Sequence, residues 1–136
     1  MGTYVVLVNE RPESRAALDW TLNTIAMQPR AEGVTLHVVL GPGTDIPGGP
    51  RYVSPALGVE VAERLRSTAI GHEICMETDD PAHKVITLAE EVDADLVVIG
   101  LQNRSATLKV FIGSHARDIL VDAPCPVVTV KENPRT

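Results

Sequence analysis

Aromatic side chains are nearly absent: one Trp, one Phe and two Tyr make up 3% of the 136 residues. The stacking platforms that bind single-stranded nucleic acid are therefore missing. So is a basic surface, because 18 acidic residues outweigh 12 Lys and Arg to a formal net charge of −6. Cysteine is scarce as well. Cys75 lies in an alternating apolar and polar stretch and Cys125 between Pro124 and Pro126, so the two have neither metal-ligand spacing nor the density of a disulfide framework, and both are expected reduced. No apolar run approaches bilayer-crossing length, and no basic segment with an apolar stretch and cleavage site precedes Tyr4–Val8. The expectation is a cytoplasmic protein without a membrane or nucleic-acid partner.

What is abundant is apolar periodicity. Hydrophobic residues form 44% of the chain, enough for one core in a single domain over residues 1–136. Tyr4–Val8, Val34–Leu40, Leu96–Ile99 and Val127–Val130 are short apolar runs, the pattern of parallel strands covered on both faces. Glu73–Thr78 instead alternates, with Ile74 and Met76 on one side and Glu73, Cys75 and Glu77 on the other, which predicts an edge strand. Between strands the period becomes three and four. Pro12 to about Met27 aligns Ala17, Leu18, Thr21, Leu22, Ile25 and Ala26. Ser54-Pro55 caps a second helix in which Leu57, Val61, Leu65 and Ala69 step by four before Gly71. Asp80-Pro81 opens a third, with Val85, Ile86, Leu88, Ala89 and Val92 inside. Gly113-Ser114 opens a fourth, with Phe111, Ile112, Ile119 and Leu120 at core spacing and Pro124 and Pro126 beyond it. Strict alternation of strand and helix predicts an α/β fold: a doubly wound, five-stranded parallel sheet with helices on both faces and right-handed crossovers.

The run Asp95–Val130 concentrates the chemistry. A buried-type strand ends at Gly100, a polar loop follows from Gln102 to Ser105, and a helix then opens whose first N–H groups have no intrahelical partner, a ready place for a phosphate. The spacing is Gly100, two residues, Asn103, nine residues, Gly113-Ser114, then Ala123-Pro124-Cys125-Pro126-Val127. This resembles the nucleotide-loop signature of the universal stress protein family, G-x2-G-x9-G-S followed by A-P-C-P-V. Asn103 replaces the second glycine, and asparagine is the non-glycine residue most tolerant of left-handed backbone. The resemblance covers nearly the whole chain, including ESRAAL from Glu13 to Leu18 and the helix start Asp80-Pro81-Ala82.

The resemblance implies the strand order 3-2-1-4-5 of a Rossmann-like, adenine nucleotide alpha hydrolase-like fold, with its switch point between the first and fourth strands. It also implies an ATP- or AMP-binding regulatory protein of the stress response, with Mg2+ accompanying ATP. Adenine would meet the backbone of Val38, ribose Asn9 and Gly100, and phosphates the turn of Gly113, Ser114, His115 and Ala116, with Asn103 in the loop between. Two positions depart from the family. Asn9-Glu10-Arg11 stands where D-G-S or D-x-S is usual, so an amide replaces an acidic group, and Ala116 stands where nucleotide binders have Ser or Thr.

An enzymatic reading finds little. Ser114 and His115 do not form a nucleophile–base pair by adjacency, no G-x-S-x-G is present, and a Walker A lysine is absent; at most slow ATP hydrolysis is expected, with no catalytic or metal-ligand residue. Asp79-Asp80 reads as a helix cap and His37 as an interior strand residue. A third reading is a dimeric interaction protein with a weak or empty site. Val127–Val130 would be an apolar edge strand suited to pairing with its copy, and family members commonly dimerise there. The stretch from Gly41 to Ser54, dense in glycine and proline, reads either as a cover over the ligand or as a plain connection.

Overall fold

The structure, a computed structural model, describes residues 2–42, 52–77, 79–101 and 113–132. The elements are β1 (Gly2–Val8), α1 (Pro12–Ala26), a 3₁₀ turn (Ala31–Gly33), β2 (Val34–Leu40), α2 (Pro55–Arg66), β3 (Gly71–Met76), α3 (Pro81–Glu91), β4 (Leu96–Leu101), α4 (Ser114–Asp122) and β5 (Val127–Lys131). All five strands are parallel in the order β3-β2-β1-β4-β5. The fold is the expected doubly wound α/β sheet.

Pleating divides the side chains between two layers. Val6, Val8, Leu36, Val38, Leu40 and Val98 face α1 and α2, where Leu18, Ile25, Leu57 and Leu65 meet them. Val5, Val39, Val97 and Ile99 face α3 and α4, against Ala82, Val85, Ala89 and Ile119. Each large side chain fully buried in these layers contributes about 1.5–3 kcal/mol from leaving water. Proline starts α1, α2 and α3, and two of those starts are capped as their sequences predict: Ser54 Oγ accepts from Ala56 N–H and Asp80 Oδ1 from His83 N–H. Asp93 closes the α3 end with a left-handed φ of 54°. Asp95 then ties the amino ends of β4 and β1 together, its N–H donating to the Thr3 carbonyl and its carboxylate accepting from Thr3 N–H.

Four expectations shift. α2 ends at Arg66 and leaves Ala69 exposed, so Gly71 starts β3 instead of stopping the helix. β3 is the edge strand foreseen, but it spans Gly71–Met76, and its two partly covered residues are neighbours: Ile74 packs on the α1/α2 layer and Cys75 on the α3/α4 layer, while Met76 is exposed. A short edge strand covered by helices on both faces does not keep one apolar side. β4 continues through Gly100 to Leu101. Leu120 lies outward on α4, and only Ile119 of that helix is buried. Asn103, Phe111, Ile112 and Thr78 lie outside the described residues, as does most of the Gly41–Ser54 stretch.

Candidate functional site

The carboxyl ends of β1 and β4 meet at the switch point, with α1 above one face and α3 and α4 above the other. One wall of this crevice is the turn from β1 into α1. Asn9 N–H donates to Ser14 Oγ at 2.9 Å, and Ser14 Oγ–H lies 2.9 Å from the Asn9 carbonyl and 3.0 Å from that of Arg11. Asn9 Oδ1 accepts from Arg11 N–H at 2.9 Å, closing a side-chain turn. Arg11 is the N-cap of α1 but caps nothing with its side chain. Its guanidinium Nε instead donates to Glu13 Oε2 at 2.8 Å. Glu13 is only 8% exposed, so the partly exposed Arg11 covers a carboxylate that burial alone would penalise.

Gly100 belongs to this wall for a packing reason. Val98 faces α1, so Gly100 two residues on faces it too, and an ideal Cβ there would sit 2.3 Å from the Glu13 carbonyl oxygen and 2.8 Å from Ser14 N. The first turn of α1 lies directly on the glycine. That turn occupies the space that a side chain at this glycine would take. Glu13, Ser14 and Arg11 were not expected at the site from the sequence. The available signal was the serine five residues after Asn9, inside the first turn, where a small hydroxyl bonds back to the incoming chain.

The other wall is the start of α4. Gly113 is its N-cap, with φ −59° and ψ 159°, and offers no side chain to cap it. Arg117 N–H is bonded to the Gly113 carbonyl, whereas His115 and Ala116, both half-buried, lie in the first turn, whose N–H groups have no intrahelical acceptor. The Ala116 methyl packs on the α3/α4 layer, so that residue's polar contribution is its backbone alone. Val38 is not brought to the crevice mouth. It is 0% exposed in the middle of β2, opposite Val6 on β1 and Ile74 on β3, with sheet on both sides of its backbone.

The remaining reactive groups lie elsewhere. Cys75 and Cys125 are both free, and burial pushes each thiol above its ordinary pKa. Lys84 opposes that shift at Cys75, and Asp95 adds to it at Cys125. Asp80 is a cap, and Glu77 Oε2 accepts from the N–H groups of Asp79 and Asp80. Among the described residues no three His, Cys, Asp or Glu side chains are grouped to hold a metal ion, and no helix is long and apolar enough to cross a membrane.

A five-stranded doubly wound sheet with a crevice at its β1/β4 switch point, one wall a side-chain turn and the other a helix start without a side-chain cap, defines a Rossmann-like α/β domain. The family model of the universal stress protein family matches residues 1–131, and the chain belongs to that family. It is 30% identical over 114 residues to a universal stress protein of Thermus aquaticus, covering 76% of this chain and 82% of that one. Among solved structures it is similar to a universal stress protein of Archaeoglobus fulgidus, with 28% identity, a TM-score of 0.64 and coverage of 96% and 98%. Others of the same fold were solved with ligands. They are an Arabidopsis thaliana protein with AMP (19% identity, TM-score 0.64, coverage 98% and 94%), an Archaeoglobus fulgidus protein with dAMP (23%, 0.57, 96% and 98%) and a universal stress protein with cAMP (21%, 0.61, 97% and 98%).

Proposed function

We propose that this protein is a cytoplasmic regulatory protein that binds an adenine nucleotide, ATP or AMP, in the β1/β4 crevice, signals its occupancy and hydrolyses ATP slowly at most. The observation that carries the reading is the start of α4, opened by a glycine with no side-chain cap at the carboxyl end of a parallel sheet's switch point, where helix N–H groups and dipole favour a phosphate. Phosphates lie on Gly113, Ser114, His115 and Ala116, with Asn103 in the connecting loop. The ribose lies against Asn9 beside Gly100, and the base toward the β2 end above Val38. Mg2+ arrives with the phosphates of ATP; among the described residues no cluster of side chains is grouped to hold it. Binding by structural neighbours of AMP, dAMP and cAMP agrees with this ligand class. Denaturing freshly purified protein and identifying released nucleotide is the direct test, followed by calorimetry with ATP and magnesium. No released nucleotide and no heat at millimolar ATP would refute the reading.

The second element of the proposal is a homodimer through β5. Among the described residues β5 pairs only with β4. The Val97 N–H to Pro126 carbonyl bond of 3.1 Å sets the phase of the ladder, so Val128 and Val130 turn their N–H groups toward β4 while Val127, Thr129 and Lys131 turn theirs outward. Leu120 and Val121 of α4 are exposed, Val121 by 74%, and extend the apolar area just ahead of this strand. A twofold axis through β5 satisfies the outward groups of both copies. Sedimentation of the unmodified protein as a monomer at tens of micromolar would refute the dimer.

A further inference from the structure

The end of the sheet opposite the crevice carries a separate cavity. Its walls are the last turns of α1 and α2 and the short segments that lead into β2 and β3, and it encloses about 540 Å³. That volume is in the range of small-molecule sites. The floor is apolar: Leu22 of α1 and Ile70 ahead of β3 are both buried, and half-buried Ala31 of the 3₁₀ turn packs against the same layer. The polar lining is one-sided. Ser67 Oγ–H is committed to the Arg64 carbonyl at 2.8 Å and Thr68 Oγ1–H to the Leu65 carbonyl at 2.7 Å, so both hydroxyls offer the cavity only lone pairs. The side chains of Glu32 and Asn23 make no hydrogen bond or ion pair among the described residues. Arg64, the one cation lining the cavity among those residues, is paired with Asp19 of α1, so its charge is matched. α1 ends here with no basic residue in its last turn, which leaves the negative pole of its dipole uncompensated. Acceptors and negative charge therefore surround an apolar floor.

We infer that this cavity binds a small aliphatic amine, its ammonium donating to the Glu32 carboxylate and the Asn23 side-chain oxygen and its hydrocarbon body lying on Leu22, Ala31 and Ile70. A protonated primary amine brings N–H donors and a positive charge, the two things the lining lacks, whereas an alcohol brings no charge and a carboxylate adds to the negative field. The site shares no residue with the β1/β4 crevice and stands apart from the nucleotide reading. The test is titration of the full chain with n-hexylamine, n-hexanol and hexanoate, read by calorimetry and by backbone amide NMR shifts. Hexylamine is expected to bind, with shifts confined to the 3₁₀ turn, the last turns of α1 and α2, and Ile70. Hexanol is expected to bind at least about tenfold more weakly, and hexanoate not at all. Glu32→Gln keeps the side chain's size and removes its charge. It should weaken hexylamine about tenfold, the scale of one charge-assisted hydrogen bond, while the melting temperature holds because Glu32 is exposed and unpaired. Ala31→Trp fills the cavity and should abolish binding. Hexanol binding as tightly as hexylamine, or unchanged affinity in Glu32→Gln, would overturn the ammonium assignment. Unchanged affinity in Ala31→Trp, or no heat and no localised shifts with millimolar hexylamine, would overturn the site itself and leave a merely solvated cavity.

Discussion

The two walls of the crevice are built in opposite ways. On the α1 side the hydrogen bonds of the turn close within the wall, Ser14 on Asn9, Asn9 on Arg11 and Arg11 on Glu13, and the first helix turn packs directly on Gly100. On the α4 side the helix opens at a bare glycine. A wall whose polar groups are mutually satisfied holds its shape, whereas a helix start without a side-chain cap keeps N–H groups that no intrahelical carbonyl accepts from. On the proposed function, stability is concentrated in the first wall and nucleotide affinity in the second.

That division is open to direct attack. The largest effect is expected from Gly100→Ala, which forces a methyl into the Glu13 carbonyl and Ser14 N and displaces α1 from β4; it should cost about 3 kcal/mol in urea denaturation, read by circular dichroism. A loss under 1 kcal/mol would show that α1 rides freely on the sheet. Gly113→Val comes next, and it acts on ligand affinity instead of stability. The Gly113 backbone lies at angles any residue adopts, so the variant folds, while its branched side chain crowds the phosphates and lowers nucleotide affinity by at least about tenfold in calorimetry. Thr129→Pro removes an outward N–H of β5 and should convert dimer to monomer in sedimentation, whereas Val128→Pro removes a bond to β4 and should destabilise the fold itself. The smallest effect belongs to Ser14→Ala, which strips the acceptor from Asn9 N–H beneath the turn. About 0.5–1 kcal/mol of stability should go, read in the same urea denaturation.

The same division explains what was legible in the sequence. Helix starts were, because a cap and a first-turn proline act locally: Ser54-Pro55 and Asp80-Pro81 stand where they were expected to. So were the central strands, whose two-sided burial leaves uninterrupted apolar runs. The end of α2 was not, since Ala69 continues the four-residue step but the chain has already turned at Ser67 toward β3. Leu120 continues the helical stripe yet lies outward, because α4 buries only the narrow face carrying Ile119. At the site, a glycine shows in a sequence that a side chain is unwelcome, not what excludes it, and Gly100 faces a helix. Arg11 and Glu13 act through a bond that only the folded turn creates, whereas Ser14, in the first helical turn after Asn9, carried a local signal.

The pin between Thr3 and Asp95 has a consequence in time. These partners are 92 residues apart, and the β1 to β4 register begins with Tyr4 opposite Leu96, whereas β1 meets β2 across a far shorter loop, with Gly2 opposite Val34. Closing the longer loop costs more chain entropy and raises the contact order of this one seam, so β1, α1 and β2 assemble first and β4 docks late. During synthesis β4 cannot dock until Asp95 and the strand after it have left the ribosome. Until then the first turn of α1 has no Gly100 beneath it. The crevice is thus among the last features to form, and a stalled or truncated chain presents the β1 edge that β4 would have covered, an open template for aggregation.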